Sequence, residues 1–392
     1  MGEGDGTAAR SAPADDAWRR TGKVRGRVGF TETGEGVDAQ VFARSTGELK
    51  AALIGVDFED APASALAGED AAAATYFEAL LPGGARWLER SSNGRLHLTA
   101  TPLPRWLRLS RPTTAYGFRR GLSTQAHHAY IQEAVAAAED EIDLAAFDLL
   151  YIVVPRNAEA ITFSPTWVDH GMSVRTRSGH VVRHAVTFGQ DMWRWGYKVL
   201  DHETGHTLGL PDLYTYQPVG DPPNAHPNVG GWDLMGLISG HAPELLAWQK
   251  WRLGWLGDEQ VAVIGTGERR TLRLAPVEGP AGIQLAILPL GPGEALALEC
   301  RRAIGNDAAA QEEGVLVYRV HAALPRGAGP SVEIVRQGTD APFGPGDLVH
   351  ACYRADATGA DTCRLETGAG GEVVLRVLDH GVAGDRVEIA RG

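Results

Sequence analysis

Two histidines and a glutamate have a spacing that suits metal-assisted hydrolysis. His202 and His206 are four residues apart, and Glu203 lies between them, in the pattern HExxH. On a helix, residues i and i+4 lie one turn apart on one face, so both imidazoles can reach one Zn²⁺ at about 2.0–2.1 Å. Zinc lowers the pKa of a bound water towards about 7, and Glu203 can accept the proton of that water as it attacks a carbonyl carbon. The motif therefore predicts hydrolysis of an amide bond.

A carboxylate after the motif can complete the set of ligands. Gly209 can adopt a positive φ that turns the chain under the metal, and Asp212, three residues later, then offers an oxygen atom. Three protein ligands leave one coordination position open, as in catalytic zinc sites. Alternatively, Asp212 is not a ligand but lies in a turn after Pro211, where its side chain hydrogen-bonds to the nearby backbone. Glu244 is then the next carboxylate to consider as the third ligand.

The motif lies in a segment with helical periodicity. From Asp191 onward, apolar residues and both histidines recur at alternating intervals of three and four, which places them on one face of a helix. These residues are Met192, Trp195, Val199, His202 and His206. Gly209 and Pro211 end the predicted helix. One helix is therefore expected to turn both imidazoles towards the interior.

Strands and helices are expected to alternate before this helix. Short apolar runs and alternating patterns predict strands at residues 49–58, 94–100 and 147–154. A helix is predicted at 70–81, where Pro82, Gly83 and Gly84 stop it. Ser123 is the expected N-cap of a second helix that continues to Glu141.

These patterns divide the chain into three regions. Residues 1–45 are rich in Gly, Ala, Asp and Arg without periodicity, which predicts a flexible N-terminal segment. Residues 46–257 are the expected catalytic unit, which includes another helix from about Pro243 to Leu253. Residues 258–392 contain short β-type runs and predict a smaller all-β domain. The runs are at 271–274, 285–290, 315–320, 331–335 and 373–377. The expected fold class of the whole chain is α+β.

Composition excludes several classes of protein. The chain has 392 residues, of which 44% are hydrophobic, enough to bury more than one core. A net charge of −12 and dispersed basic residues argue against nucleic acid as a partner. No apolar run reaches the roughly 20 residues that span a bilayer, and the N-terminus lacks the apolar stretch of a secretory signal. The expected partner is a peptide or protein substrate.

The three cysteines do not form a recognisable motif. Cys300, Cys352 and Cys363 lie in the last quarter of the chain, without the spacing of a zinc knuckle or a redox pair. In an oxidising compartment, Cys352 and Cys363 could close a short loop and leave Cys300 as a buried thiol. In the cytosol, this disulfide is not expected.

The chain resembles the immune inhibitor A type of zinc metallopeptidases, which belongs with the metzincin-like zincins. Three segments carry the resemblance: HETGHTLGLPDLY at 202–214, GWDLMG at 231–236 and AWQKWRLGWL at 247–256. Weaker similarity touches most of residues 49–320 and fades in the remaining C-terminal stretch.

The resemblance implies a secreted endopeptidase with one catalytic Zn²⁺ and a zincin-type domain, in which a twisted mixed sheet accompanies the active-site helix. It places Met235 in the methionine turn beneath the metal, for which a buried core methionine is the alternative. Tyr214, or else His226 or His241, would polarise the carbonyl oxygen of the transition state. The sequence does not support a structural Ca²⁺ site. Because no signal is recognisable, a cytoplasmic location is the alternative to secretion.

Two other functions stay open. The same metal and base would serve a zinc amide hydrolase of narrow specificity that acts on one peptide or small substrate. The third interpretation is a binding module with a vestigial site. The intact Glu203 argues against it, because binding alone needs no base.

Overall fold

A computed structural model describes most of the chain from residue 40 onward. The described residues are 27–28, 31–32, 40–66, 80–119, 121–169, 171–218, 223–291, 293–322, 330–336, 352–353, 361–367 and 371–392. Most of the predicted flexible segment 1–45 and of the predicted helix 70–81 therefore lies outside the described residues.

Five α-helices lie within this part of the chain. They are α1 Leu81–Ser91, α2 Thr124–Ala138, α3 Met192–Trp195, α4 Tyr197–Thr207 and α5 Ala247–Arg252. None of the described helices is long and apolar enough to cross a membrane.

The described strands form several sheets. In the N-terminal half they are β1 Arg27–Val28, β2 Thr31–Glu32, β3 Gly47–Asp57, β4 Leu96–Arg108, β5 Leu149–Val153, β6 Thr166–Val168, β7 Val174–Arg175, β8 Val181–Val182 and β9 His184–Phe188. In the C-terminal half they are β10 Val261–Val263, β11 Arg269–Leu274, β12 Leu285–Gly291, β13 Glu294–Arg301, β14 Gly314–His321, β15 Val332–Ile334, β16 Cys352–Tyr353, β17 Asp361–Thr367, β18 Gly371–Asp379 and β19 Asp385–Arg391.

The larger N-terminal sheet has the strand order β4-β3-β5-β9-β6. Its first four strands are parallel, and the edge strand β6 is antiparallel to β9. Both faces of the sheet are covered, so the central part of β3, residues 51–56, is continuously apolar. Leu49, Ala51 and Leu53 face the hydrophobic cluster that contains α4, whereas Ala52 and Ile54 face the cluster that contains α2. The predicted strands at 49–58, 94–100 and 147–154 are confirmed as β3, β4 and β5, with shifted ends.

The start of α1 corrects one prediction. Pro82 does not stop a helix but lies in the first turn of one, where its missing N–H would have had no partner in any case. A Cβ atom at Gly84 would lie 2.8 Å from a methyl carbon of Leu200 and 2.9 Å from Asp201 Oδ1, both on α4. The glycine therefore permits close packing of α1 on α4.

The helix that was predicted to begin at Asp191 is interrupted. Gly196 has a φ of +64° and separates α3 from α4. The continuous apolar face expected from Met192 to His206 is thus divided between two helices, although Met192 and Val199 are both buried as predicted.

Of two further predicted helices, one is confirmed and the other is shorter than predicted. The helix after Ser123 is confirmed as α2, and the Ser123 side chain accepts a hydrogen bond from the amide of Ala126. The helix expected from Pro243 to Leu253 is shorter and covers only α5.

The C-terminal strands pack as two sheets. One has the order β10-β12-β13-β14-β15, with β16 also paired to β14, and the other has the order β11-β19-β18-β17. Four of the five β-type runs predicted after residue 258 lie within described strands, and the fifth, 331–335, contains the shorter strand β15. Leu285 and Ile287 in β12 face the cluster that contains α4, and Ala286 and Leu288 face the cluster between the two sheets. The protein is therefore a mixed α+β fold, and the predicted regions 46–257 and 258–392 share one hydrophobic cluster.

All three cysteines are buried free thiols. The Cys352–Cys363 disulfide considered above is not present in the structure. Burial raises the pKa of the Cys352 and Cys363 thiols, which makes them poor nucleophiles at neutral pH.

Candidate metal centre

Helix α4 brings the residues of the HExxH motif together. The ring centroids of His202 and His206 lie 4.8 Å apart, and the rings are almost perpendicular. Donor atoms of the two histidines and of Glu203 all lie within 4.8 Å of one another, and all three residues are buried. This buried His-Glu-His group could hold a metal ion.

Asp212 returns to the two histidines. Its Oδ1 atom lies 3.2 Å from Nε2 of His202 and 3.2 Å from Nε2 of His206. The reversal of the chain occurs at Gly209, whose φ of +96° matches the predicted turn. In a tetrahedral site with bonds of about 2.0 Å, neighbouring ligand atoms are about 3.3 Å apart. The Asp212 oxygen thus lies at the distance from each histidine nitrogen that two ligands of one small cation have.

Hydrogen bonds at the outer nitrogens orient both imidazoles. Nδ1 of His202 lies 3.0 Å from the carbonyl oxygen of Leu234, and Nδ1 of His206 lies 2.8 Å from that of Leu210. A carbonyl oxygen only accepts, so each Nδ1 donates, and a neutral ring then has its lone pair on Nε2. In that neutral form, both lone pairs face the side of the site where Asp212 Oδ1 lies, as they would for a shared cation. Such carbonyl contacts are the usual support of histidine ligands in metal sites.

The charge of Asp212 also suits a ligand. Burial would raise the pKa of its carboxyl group, but the charge of His206 and hydrogen bonds from Nε2 of both histidines, in their protonated form, lower it by more, so the pKa is well below its usual range. The hydroxyl of Tyr216 donates to Oδ2 at 2.6 Å, which leaves Oδ1 directed at the histidines. The carboxylate is therefore ionised at neutral pH, as coordination requires.

Glu203 differs from Asp212 in its electrostatics. Burial raises its pKa to about 8, opposed by His202 and by a hydrogen bond from Thr166, while Asp212 and Asp191 raise it further. A cation bound beside this carboxyl group would lower the pKa again. Without a cation, the pKa of Glu203 is thus raised towards neutral pH, which suits a group that both accepts and returns a proton.

The loop 231–236 lies under α4. A Cβ atom at Gly205 would be 3.0 Å from Sδ of Met235, so the buried methionine packs directly beneath the helix turn that carries both histidines. This location fits both a methionine turn and a core methionine. The Met235 carbonyl accepts from the Leu213 amide at 2.9 Å, which ties the loop to the residue after Asp212.

A buried arginine from β13 holds this loop from below. Arg301 donates to the carbonyl oxygen of Trp232 at 3.1 Å and forms ion pairs with Glu299 at 2.9 Å and Asp307 at 2.5 Å. Asp233 accepts from the amides of Met235 and Leu246. The C-terminal sheets therefore help to fix the loop whose Leu234 carbonyl orients His202.

The alternative residues named from the sequence take different positions. The Tyr214 ring stacks near His202, with 6.4 Å between centroids, and the His226 ring lies 5.8 Å from Tyr214. His241 packs instead on Trp232, at 4.9 Å. Tyr214 is thus beside the candidate ligands, and its assignment as the polarising group stays a prediction.

Glu244, the alternative third ligand, is engaged elsewhere. Its carboxyl oxygens accept from Ser91 and Asn306, and Lys250 Nζ lies 3.7 Å away. It belongs to the buried polar network around Arg301, whereas Asp212 takes the place beside the histidines.

Two hydrogen bonds at the candidate metal centre were not predicted from the sequence. Thr166 on the edge strand bonds Glu203, and Tyr216 bonds Asp212. The spacing of Tyr216, four residues after Asp212, was the only available signal for it. Thr166 lies 37 residues before Glu203, so that only the arrangement of the sheet reveals it.

No known protein family and no curated protein matches this chain.

Proposed function

We propose that this protein is a zinc metallopeptidase of the immune inhibitor A type, which hydrolyses peptide bonds with Glu203 as general base. The observation that carries the proposal is the convergence of His202 Nε2, His206 Nε2 and Asp212 Oδ1, with 3.2 Å from the oxygen to each nitrogen. Two imidazoles and one carboxylate are the ligand set of several catalytic zinc sites.

Each residue has a separate task in the proposed reaction. His202, His206 and Asp212 would hold the ion and leave one position open for water and substrate. The bound zinc ion would act as a Lewis acid that polarises the substrate carbonyl and acidifies water. Glu203 accepts a proton from the attacking water and later donates it to the leaving amine. Tyr214, beside His202, is the proposed donor to the carbonyl oxygen as negative charge develops there.

The arrangement of the sheet supports a zincin-type domain as part of the proposal. Within the described strands of that sheet, β6 alone is antiparallel to its neighbour, and its Thr166 contacts Glu203 on α4. An edge strand beside the reacting groups suits an extended peptide, since a peptide can add to a sheet as a further strand at its edge. Secretion, implied by the resemblance, belongs to the same proposal.

Zinc content and proteolysis together test this function. The purified protein is incubated with Zn²⁺, dialysed, analysed for bound metal and assayed on unstructured casein, with Glu203→Gln as the matched inactive control. Bound zinc with cleavage that the control lacks is the expected result. Bound zinc without cleavage of casein or of a peptide library would favour a narrow-specificity amide hydrolase, and absence of both would favour a binding module.

A further inference from the structure

Thr166 occupies a fixed position on the edge strand. It pairs with Val186 in the register between β6 and β9. The next residue, Trp167, is buried on the opposite face of the sheet, with its ring 5.7 Å from that of His127 on α2. Because successive strand residues point to opposite faces, Thr166 is directed towards α4.

The start of the strand is anchored to the segment that leads into α3. Ser164 donates to Asp191 twice, from its amide at 3.0 Å and from its hydroxyl at 2.6 Å. The amide of Gly189 donates to the Ser164 hydroxyl at 3.0 Å. Contacts on both sides of Thr166 therefore fix the position of β6 in the fold.

The Thr166 hydroxyl contacts Glu203 at two points. Its Oγ1 atom lies 2.7 Å from Oε2 of the carboxyl group and 3.0 Å from the carbonyl oxygen of the same residue. A hydroxyl has one proton to donate and two lone pairs that accept. It can therefore donate to only one of the two oxygens at a time.

We propose that Thr166 is the positioning residue of the general base, which holds the Glu203 carboxyl group in one orientation before and after proton transfer. This inference rests on the proposed function. While Glu203 is ionised, the Thr166 hydroxyl donates to Oε2. Once Glu203 has taken a proton from water on its other oxygen, Oε1, the neutral carboxyl group still accepts from the Thr166 hydroxyl through Oε2, and the proton on Oε1 stays available for the leaving amine. No proton is gained or lost by Thr166, and both forms of Glu203 keep a partner.

A hydrogen bond from Thr166 restricts the rotation of the Glu203 side chain. This side chain has three rotatable bonds, and a general base acts only within about 2.6–3.2 Å of the proton that it removes. Without the hydroxyl, a buried carboxyl group would lose a hydrogen bond and the restriction on its rotamer. The competing explanation is that Thr166 serves only as a β-branched strand residue.

Two substitutions separate these explanations. Thr166→Val keeps the shape and the branched Cβ but removes the hydroxyl, whereas Thr166→Ser keeps the hydroxyl and removes the methyl group. If the hydroxyl positions Glu203, Thr166→Val should lower kcat about 10- to 100-fold with KM and zinc content little changed. Thr166→Ser should stay within about threefold of the parent. A purely structural role predicts the opposite order, because valine is the better strand residue.

A second measurement does not depend on activity. Crystal structures of both variants, prepared without metal, should show Glu203 in a different rotamer in Thr166→Val and in the parent rotamer in Thr166→Ser, with β6 and α4 unmoved. An unchanged Glu203 rotamer with full activity in Thr166→Val would overturn the inference. If Glu203→Gln were also fully active, Glu203 would not be the general base, and this part of the proposed function would fail; an inactive Glu203→Gln beside a fully active Thr166→Val would overturn the role of Thr166 alone.

Discussion

The Asp212 carboxylate lies 3.2 Å from Nε2 of His206, although the chain reverses direction between the two residues. This contact brings a carboxylate to the open side of the histidine pair. Two histidines one helical turn apart occur in many proteins, but a buried carboxylate held against both of them, with its own second oxygen bonded to Tyr216, is a set of donors suited to a cation.

The first prediction concerns the metal itself. The purified protein should bind about one Zn²⁺ per chain, and His202→Ala or His206→Ala should abolish tight binding because two remaining ligands cannot hold the ion. The measurement is metal analysis after dialysis, followed by competition with a zinc indicator. His97→Ala, at an exposed histidine on β4, is the matched control and should bind zinc like the parent. Full zinc retention in both motif variants would contradict the site.

The second prediction concerns the third ligand. Asp212→Ala should weaken zinc binding by more than about 100-fold, since even loss of an outer-shell partner costs about 10–100-fold in zinc sites. Competition titration with a chelator of known affinity measures the change. Glu244→Gln is the comparison, because Glu244 lies in the Arg301 network and should leave zinc affinity close to that of the parent. Unchanged affinity in Asp212→Ala would place the third ligand elsewhere.

The third prediction separates catalysis from metal binding. Glu203→Gln keeps the size of the side chain but cannot accept a proton, so activity should fall at least about 100-fold. Zinc content and the thermal midpoint should remain close to those of the parent. Peptide hydrolysis and metal analysis on the same samples provide the measurement. A zinc-loaded Glu203→Gln protein that cleaved peptides at the parental rate would show that another group is the base.

The fourth prediction concerns acid stability. Burial lowers the pKa of His127 to about 3, with a smaller shift in the same direction from His128. The ordinary value in an unfolded chain is about 6.5. Between these pH values the unfolded state binds a proton that the folded state does not, so stability falls as the pH decreases from about 6.5 to about 3. Between pH 7 and pH 4.5, His127 should account for a loss of roughly 2–3 kcal/mol.

His127→Phe tests this loss directly. Phenylalanine can keep the edge contacts that the imidazole makes with Phe118 and Trp167 but has no proton to bind. Urea unfolding at pH 7 and pH 4.5 should show a smaller loss of unfolding free energy in this variant than in the parent. His97→Gln, at an exposed site, should behave like the parent. The same acid-induced loss in all three proteins would mean that other groups dominate.

Much of the fold was predictable because its signals are local. A buried parallel strand such as β3 is an apolar run, and the helix N-cap Ser123 is a single residue with a defined hydrogen bond. The errors arose where one residue has two uses. Pro82 can end a helix or begin one, and Gly196 can be tolerated within a helix or can break it. Pro82 begins α1, which packs on α4. Gly196 breaks the predicted helix, because its backbone has a positive φ.

For the candidate site, the sequence by itself determined the spacing of His202 and His206, the base between them, and the glycine turn that leads to Asp212. These features depend on helix geometry and on one positive φ, which are properties of short segments. Only the tertiary structure decided that Asp212 rather than Glu244 meets the histidines, that Leu234 orients His202, and that Thr166 holds Glu203. Those contacts join segments that are distant in the chain, and their distances follow from sheet register and core packing, which no local pattern of residues encodes.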